Sequence, residues 1–300
     1  MRGLFIAFEG IDGSGITTHS KLLKDRLRSR KLDAIYTKEP SKEAIGTLIY
    51  ELLMGFYPSL QRNEIYALLF AADRFHHLYI KLPGQPIHPE QGERGLRGVL
   101  HYVRDGSIVI MDRYKYSSIA YQTTSKEAAH GINLGDAGED FVEAVNMYAP
   151  PPHILVYLDV DPETAYGRIR SRRGLQMFES AEDLERVKAR FNDIILGRLM
   201  NTPEYCPGDN KPWLKKLREL VGVSAAELYP GGICYPVVIH VKETPEGKEL
   251  EEELVSDAIY GAVLVAASEI GYRVDGAILR EAEELYKQHD DIVKISIHRR

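Results

Sequence analysis

The residues best equipped for chemistry stand near the start of the chain, in FIAFEGIDGSGITTHSKLLKDRL, residues 5–27. An apolar run ends at Glu9, a glycine-rich turn follows, and apolar residues then recur at helical spacing at Leu22, Leu23 and Leu27. Gly10, Gly13 and Gly15 permit a tight turn that exposes successive main-chain N–H groups to an anion, and the helix beginning just after adds its positive end. The stretch from Gly10 through Asp12, Ser14, Ile16, Thr17 and Thr18 is thus a candidate cradle for a polyphosphate, with the Thr17 hydroxyl where such loops bind magnesium. The usual string is G-x-x-x-x-G-K-[ST], and here Ile16 holds the lysine position. That lysine offsets charge on the β- and γ-phosphates during transfer, and losing one such contact costs about 3 kcal/mol or more of transition-state stabilisation. Three readings are open. A basic residue from elsewhere fills the gap, with Lys21 or an arginine of the 168–173 cluster as candidates; the loop binds nucleotide without efficient chemistry; or the isoleucine is a laboratory substitution.

Further polar clusters follow apolar runs. TKEPSKEAIG, 37–46, comes straight after the second run, LLFAADRFHHL occupies 68–78, and MDRYKYSSIAYQ, 111–122, closes the third. A lone Asp-Arg pair is equally well a surface ion pair. Two of them, with a glycine turn and a serine-tyrosine-glutamine cluster at the carboxyl ends of strands, fall where a parallel α/β sheet places its ligands. Arg168, Arg170, Arg172 and Arg173 follow the fourth run; on a helix 168 shares a face with 172, and 170 with 173. A solvated basic face is the plainer alternative for this cluster.

The elements that must position these groups alternate short apolar runs with helical periodicity, which predicts an α/β fold with a parallel sheet. Strands are expected near 4–9, 33–37, 107–111, 153–159 and 236–242, each rich in residues suited to burial on both faces. Helices are expected near 17–30, 43–56, 62–82, 139–148, 162–172, 181–200, 249–268 and 276–288. Residues 83–98, with three prolines and four glycines, and residues 201–236, with a short helix near 212–221, read as surface insertions on one domain spanning 1–300. The expectation is a five-stranded parallel sheet of the P-loop type with helices on both faces and a helical extension after about 270.

Bulk properties exclude several classes. At 300 residues the chain can bury a full core, and its 44% hydrophobic and 27% charged composition is ordinary for a water-soluble protein. A net charge of -6, with no basic arm or zinc-finger spacing, gives no support for polynucleotide binding. Cys206 and Cys234 cannot make a disulfide framework or a four-ligand zinc site; free thiols in a reducing compartment are expected, with a single bridge as the alternative. Glu9 ends the apolar run 4–8 too early for a signal sequence, and no stretch approaches the roughly 20 apolar residues of a membrane span, so the cytoplasm is the default and no membrane partner is expected.

Taken together, FEGIDGSG-TT, the Glu39-Pro40 pair, LLFAADR and DRYxxSSxAYQ closely resemble thymidylate kinases, enzymes that phosphorylate dTMP with ATP. The resemblance covers most of residues 4–200 and returns weakly over 236–268. It implies ATP and Mg2+, and a role for each matching residue. Asp12 would face the acceptor nucleotide near its sugar hydroxyl and the metal, and Arg74 would hydrogen-bond the thymine edge, with Phe70 one turn earlier in the base pocket. Arg113 would hold the acceptor phosphate, and Asp112 would help organise magnesium with Thr17. Ser117, Ser118, Tyr121 and Gln122 would line the nucleoside pocket beside Glu39 and Pro40, Tyr121 crowding a ribose 2′-hydroxyl; packing is the alternative for this tyrosine, one of 18. The region of Arg168, Arg172 and Arg173 would be a mobile lid whose arginine reaches the transferred phosphoryl. Lys38 in place of the usual arginine, Ser41 in place of a glycine and LQMFES at 175–180 depart from the pattern. The resemblance also implies a homodimer packed through core helices. A dTMP kinase is therefore expected, against two alternatives: a nucleotide-binding homologue that has lost the chemistry, and a kinase for another acceptor.

Overall fold

A computed structural model describes residues 3–80, 98–125, 127–128, 132–171, 180–201, 211–229, 236–243 and 249–296. Five strands, β1 (Leu4–Gly10), β2 (Ala34–Lys38), β3 (Ile108–Asp112), β6 (Ile154–Asp159) and β7 (Val237–Lys242), run parallel in the order β2-β3-β1-β6-β7. A short ribbon, β4 (Glu127–Ala128) and β5 (Ile132–Asn133), stands apart. A sixth sheet strand, β8 (Val293–Ser296), pairs antiparallel with β7, Val241 opposite Val293. This corrects the expected five-stranded, wholly parallel sheet. The four residues of β8 read as a tail because they are too short to show a period, yet β7 would otherwise be an open edge with unpaired N–H and C=O groups.

β1 lies at the centre, its residues Leu4–Phe8 in register with Ile108–Asp112 and Ile6–Gly10 in register with Ile154–Leu158. All seven of its residues are buried, as a strand covered on both faces requires. One face is covered by α1 (Ile16–Ser29), α11 (Glu252–Glu269) and α12 (Gly276–Gln288), which enclose Phe8, Ile16, Leu23, Leu158, Val241 and Ile259. The other is covered by α3 (Asn63–Tyr79), α4 (Val99–Asp105), α5 (Lys115–Gln122), α6 (Glu139–Val145) and α8 (Ala181–Phe191). α8 runs on as a wider π turn through Asn192–Leu199. α2 (Ala44–Leu53) packs on α3, while α7 (Pro162–Ser171) packs on α8.

The segment 83–97 lies outside the described residues, as do Cys206 and Cys234. The described part of the other insertion, 211–229, is not a loop on the surface. It forms α9 (Pro212–Lys216), a π turn to Val221 and α10 (Ala225–Leu228), and it buries Trp213, Leu214, Leu217, Leu228 and Tyr229 in the main core. His153 ties this layer to β1: its Nδ1 accepts from the Phe5 N–H at 2.8 Å, and its Nε2 lies 2.7 Å from the Leu228 carbonyl. Burial lowers its pKa to about 4, so it stands neutral with Nε2 protonated.

Candidate functional site

The turn after β1 is shaped by close approach of other main chain. Gly13 has φ 81° and Gly15 φ 88°, both in the left-handed region, and a methyl group at Gly13 would run into the backbone of Ala165 on α7. α1 opens at Gly15 with no side-chain cap and no acidic residue in its first turn, so its first N–H groups and its positive end are left for an anion. The Ser14 hydroxyl is buried and lacks a partner among the described residues. Ile16 is only 4% exposed and packs into the apolar cluster under α1, with no charge of its own to offer the loop.

Two strand ends supply the next groups. The Thr17 hydroxyl donates to Asp112 Oδ2 at 2.6 Å, and Tyr36 on β2 donates to the same oxygen at 2.8 Å. Arg113 follows with φ 68°, a conformation an arginine adopts only under constraint. Its guanidinium donates to the Gly10 carbonyl and to Ser117 Oγ, each at 3.0 Å, and forms an ion pair with Asp12 while lying 5.2 Å over the Tyr121 ring. Burial opposes its charge, but Asp12 and the neighbouring acidic groups raise its pKa further. The Tyr121 hydroxyl in turn accepts the Asp12 N–H at 2.8 Å.

Beneath Arg113 lies Glu9, wholly buried at the end of β1. It accepts N–H groups from Tyr114 (3.1 Å) and Ser117 (3.0 Å) and the Ser117 hydroxyl, joining the first turn of α5 to the central strand. Burial raises its pKa to about 7 against the opposing pull of the Ser117 hydroxyl and the Arg113 charge.

The far wall is organised by Arg74 on α3, 2% exposed. Nε and Nη2 both lie 2.7 Å from Glu39 Oε2, Nη2 donates to Ser118 Oγ at 3.1 Å, and Nη1 donates to Asn146. The Glu39–Pro40 peptide is cis. Ser41 caps the neighbouring Asp73 through its N–H and hydroxyl, at 2.7 and 2.6 Å, a use that a glycine could only half fill.

One cavity of about 390 Å³ unites these groups. It is lined by Asp12, Gly13, Ser14, Gly15, Ile16, Thr17 and Thr18 on one side, and by Glu39, Pro40, Phe70 and Arg74 on the other. Asp112, Arg113, Ser117, Ser118, Tyr121 and Gln122 lie between. Gly10 joins through its carbonyl on Arg113. Arg168 does not line the cavity; it sits outside the loop, bonded to the Gly13 carbonyl at 3.2 Å. Arg172, Arg173 and residues 175–179 lie outside the described residues. Lys21 is exposed on α1, 5.4 Å from the Tyr36 ring, and does not line the cavity. Sequence reasoning missed Tyr36 and Asn146 and gave no role to Glu9 or Asp73. Of these Glu9 carried a local signal as an acid within an otherwise apolar buried run, and Asp73 as the acid of the first Asp-Arg pair.

Residues 8–201 match the thymidylate kinase family. A relative from Aeropyrum pernix assigned as a thymidylate kinase is 37% identical over 196 residues, 63% of this chain and 77% of its own. Another from Methanocaldococcus jannaschii is 37% identical over 191 residues, 64% and 81% of the two chains. A solved thymidylate kinase from Candida albicans aligns at 26% identity and a TM-score of 0.47, over 64% of this chain and 78% of that one. With about two thirds of its length matched, this chain belongs to the thymidylate kinase family.

Proposed function

We propose that this protein transfers the γ-phosphoryl group of ATP to dTMP, giving ADP and dTDP. The observation that carries the reading is the single cavity with an anion-binding loop on one wall and two organised arginines, Arg74 and Arg113, facing it. The loop residues 10–18 hold the donor phosphates. Arg113 exchanges its Asp12 partner for the acceptor phosphate, and Ser117 keeps the guanidinium aimed. Arg74, fixed by Glu39, Asn146 and Ser118, presents one edge to the base beside Phe70, while Ser118, Tyr121 and Gln122 close around the nucleoside with Pro40 opposite. A phosphate acceptor needs no strong base, so these groups act by positioning and by charge.

Magnesium suits the donor set. The Thr17 hydroxyl and the Asp112 carboxylate are hard oxygens 2.6 Å apart. Among the described residues no group of three or more acidic, His or Cys side chains converges. An ion held by one carboxylate, one hydroxyl and substrate phosphates fits that arrangement. When bound it supplies positive charge to the phosphate oxygens.

A coupled ADP-release assay over a panel of mononucleotides tests the reading. Turnover confined to dTMP supports it, and no turnover with any acceptor overturns it. The burial of Ile16 favours one second reading, a nucleotide-binding homologue without chemistry; calorimetric dTMP binding with no ADP formed would establish that instead. The chain is further read as a homodimer of one-domain subunits. Met54, Phe56, Tyr57, Leu60 and Leu68, 38–70% exposed, offer an apolar face beside α2 and α3, and light scattering at micromolar concentration decides the assembly. No described helix is long and apolar enough to cross a membrane.

A further inference from the structure

A charged network flanks the loop that carries Ile16. α7 rests directly on Gly13, and Arg168, one turn beyond Ala165, bends back so that Nη1 donates to the Gly13 carbonyl (3.2 Å) and to Glu243 Oε2 (2.9 Å). Glu243 follows β7 and is 2% exposed. Its other oxygen lies 3.0 Å from Nε2 of His19, itself buried on the first turn of α1. The outer side of the guanidinium meets Glu249: Nε is 2.9 Å and Nη2 2.8 Å from the same oxygen, and the Glu249 side chain is 57% exposed.

The two carboxylates are in opposite situations. Glu243 is buried within 3.3 Å of where a methyl group on Gly15 would stand, so an unpaired charge there would repel a polyphosphate seated on the loop. Arg168 bonds one of its oxygens, while the other, 3.0 Å from His19 Nε2, has no hydrogen-bond partner among the described residues, so the carboxylate depends on Arg168 for its compensation. Glu249 is wet and uses one oxygen, a contact of the strength of a surface ion pair, which a phosphate oxygen replaces readily.

We propose that Glu243 is a positioning residue that sets Arg168 on the phosphate loop in place of the missing lysine, and that Glu249 covers, until nucleotide arrives, the two donors of Arg168 that a donor phosphate takes. This rests on residues 10–18 being the donor loop. It gives the chain a cation beside the phosphate loop without one in the loop sequence, and it makes ATP compete with the protein's own carboxylate.

Calorimetric titration of the full chain with ATP and magnesium tests this without any acceptor. E249Q is expected to tighten ATP roughly two- to fivefold, the strength of an exposed ion pair. E243Q is expected to weaken ATP by about fivefold or more in the otherwise unchanged protein, and to strengthen it in an R168A background, where the unpaired carboxylate repels the phosphates. A merely structural Glu243 would not give that reversal. In turnover, R168A is expected to lose about a hundredfold in kcat, and I16K to restore part of the loss. The proposal is overturned if E249Q leaves ATP affinity unchanged or weakens it, or if E243Q acts alike in both backgrounds. Failure to phosphorylate any mononucleotide would overturn the kinase reading while leaving these binding outcomes decisive.

Discussion

Arg74 and Glu39 are each 2% exposed, and their charges have no water to turn to when one partner is removed. R74M should therefore cost about 3–5 kcal/mol in urea unfolding, chiefly by stranding Glu39, and the double variant R74M/E39Q should cost less than R74M alone. If the double variant is the less stable of the two, the pair contributes more than mutual neutralisation. Glu9 has the contrary effect. Its folded pKa of about 7 exceeds the unfolded value, so the folded chain holds a proton that the unfolded chain releases, and stability falls as pH rises from about 4.5 through 7. E9Q should lack this slope, and its melting temperature relative to the parent should climb between pH 5 and pH 8; a constant difference would place the ionisation elsewhere. Sequence made Arg74 and Arg113 legible through two Asp-Arg motifs, one on α3 and one at the end of β3. It hid the roles of Glu9, Asn146 and Asp73, because what defines each role is a partner far along the chain: Tyr114 and Ser117 for Glu9, Arg74 for Asn146, Ser41 for Asp73. No spacing rule spans such separations.

At the scale of elements, strands showed most clearly, because burial on both faces leaves mostly apolar residues in runs of five to seven. α5 was not among the expected helices: Lys115–Gln122 is short, and its apolar stripe, Tyr116, Ile119 and Ala120, is interleaved with the polar residues of the site. The layer at 211–229 was misjudged for a related reason. Prolines and glycines at its ends suggested a surface insertion, whereas its middle carries Trp213, whose ring meets Tyr229 edge-on at 5.6 Å within the main core. W213A should lower unfolding free energy by about 3–5 kcal/mol in denaturant melts while leaving the KM for nucleotides unchanged, since the residue lies away from the cavity. A melt matching the parent would mean that this layer folds independently of the sheet.

Over the whole molecule, residues beyond the family match complete the sheet and brace its helices. α12 approaches α11 so closely that a methyl group on Gly261 would come within 2.8 Å of the Ala282 carbonyl. Arg30, just past the end of α1, pairs with Glu281 at 2.6 Å, and Arg26 pairs with Asp257 while lying 4.0 Å over the Tyr260 ring. The helix that opens at the phosphate loop is thus held at its far end by the last two helices. A chain ended after Val274 should melt at lower temperature and associate with rising concentration, as β7 becomes an open edge. Unchanged melting with a monodisperse scattering profile would show that the tail is ornamental. The sheet order also has a temporal side. β1 is made before both strands that flank it, which arrive about 100 and about 150 residues later. Until both are in place nothing holds Gly10 and its neighbours in their curve, so a nascent chain on the ribosome is blind to nucleotide until β6 has emerged.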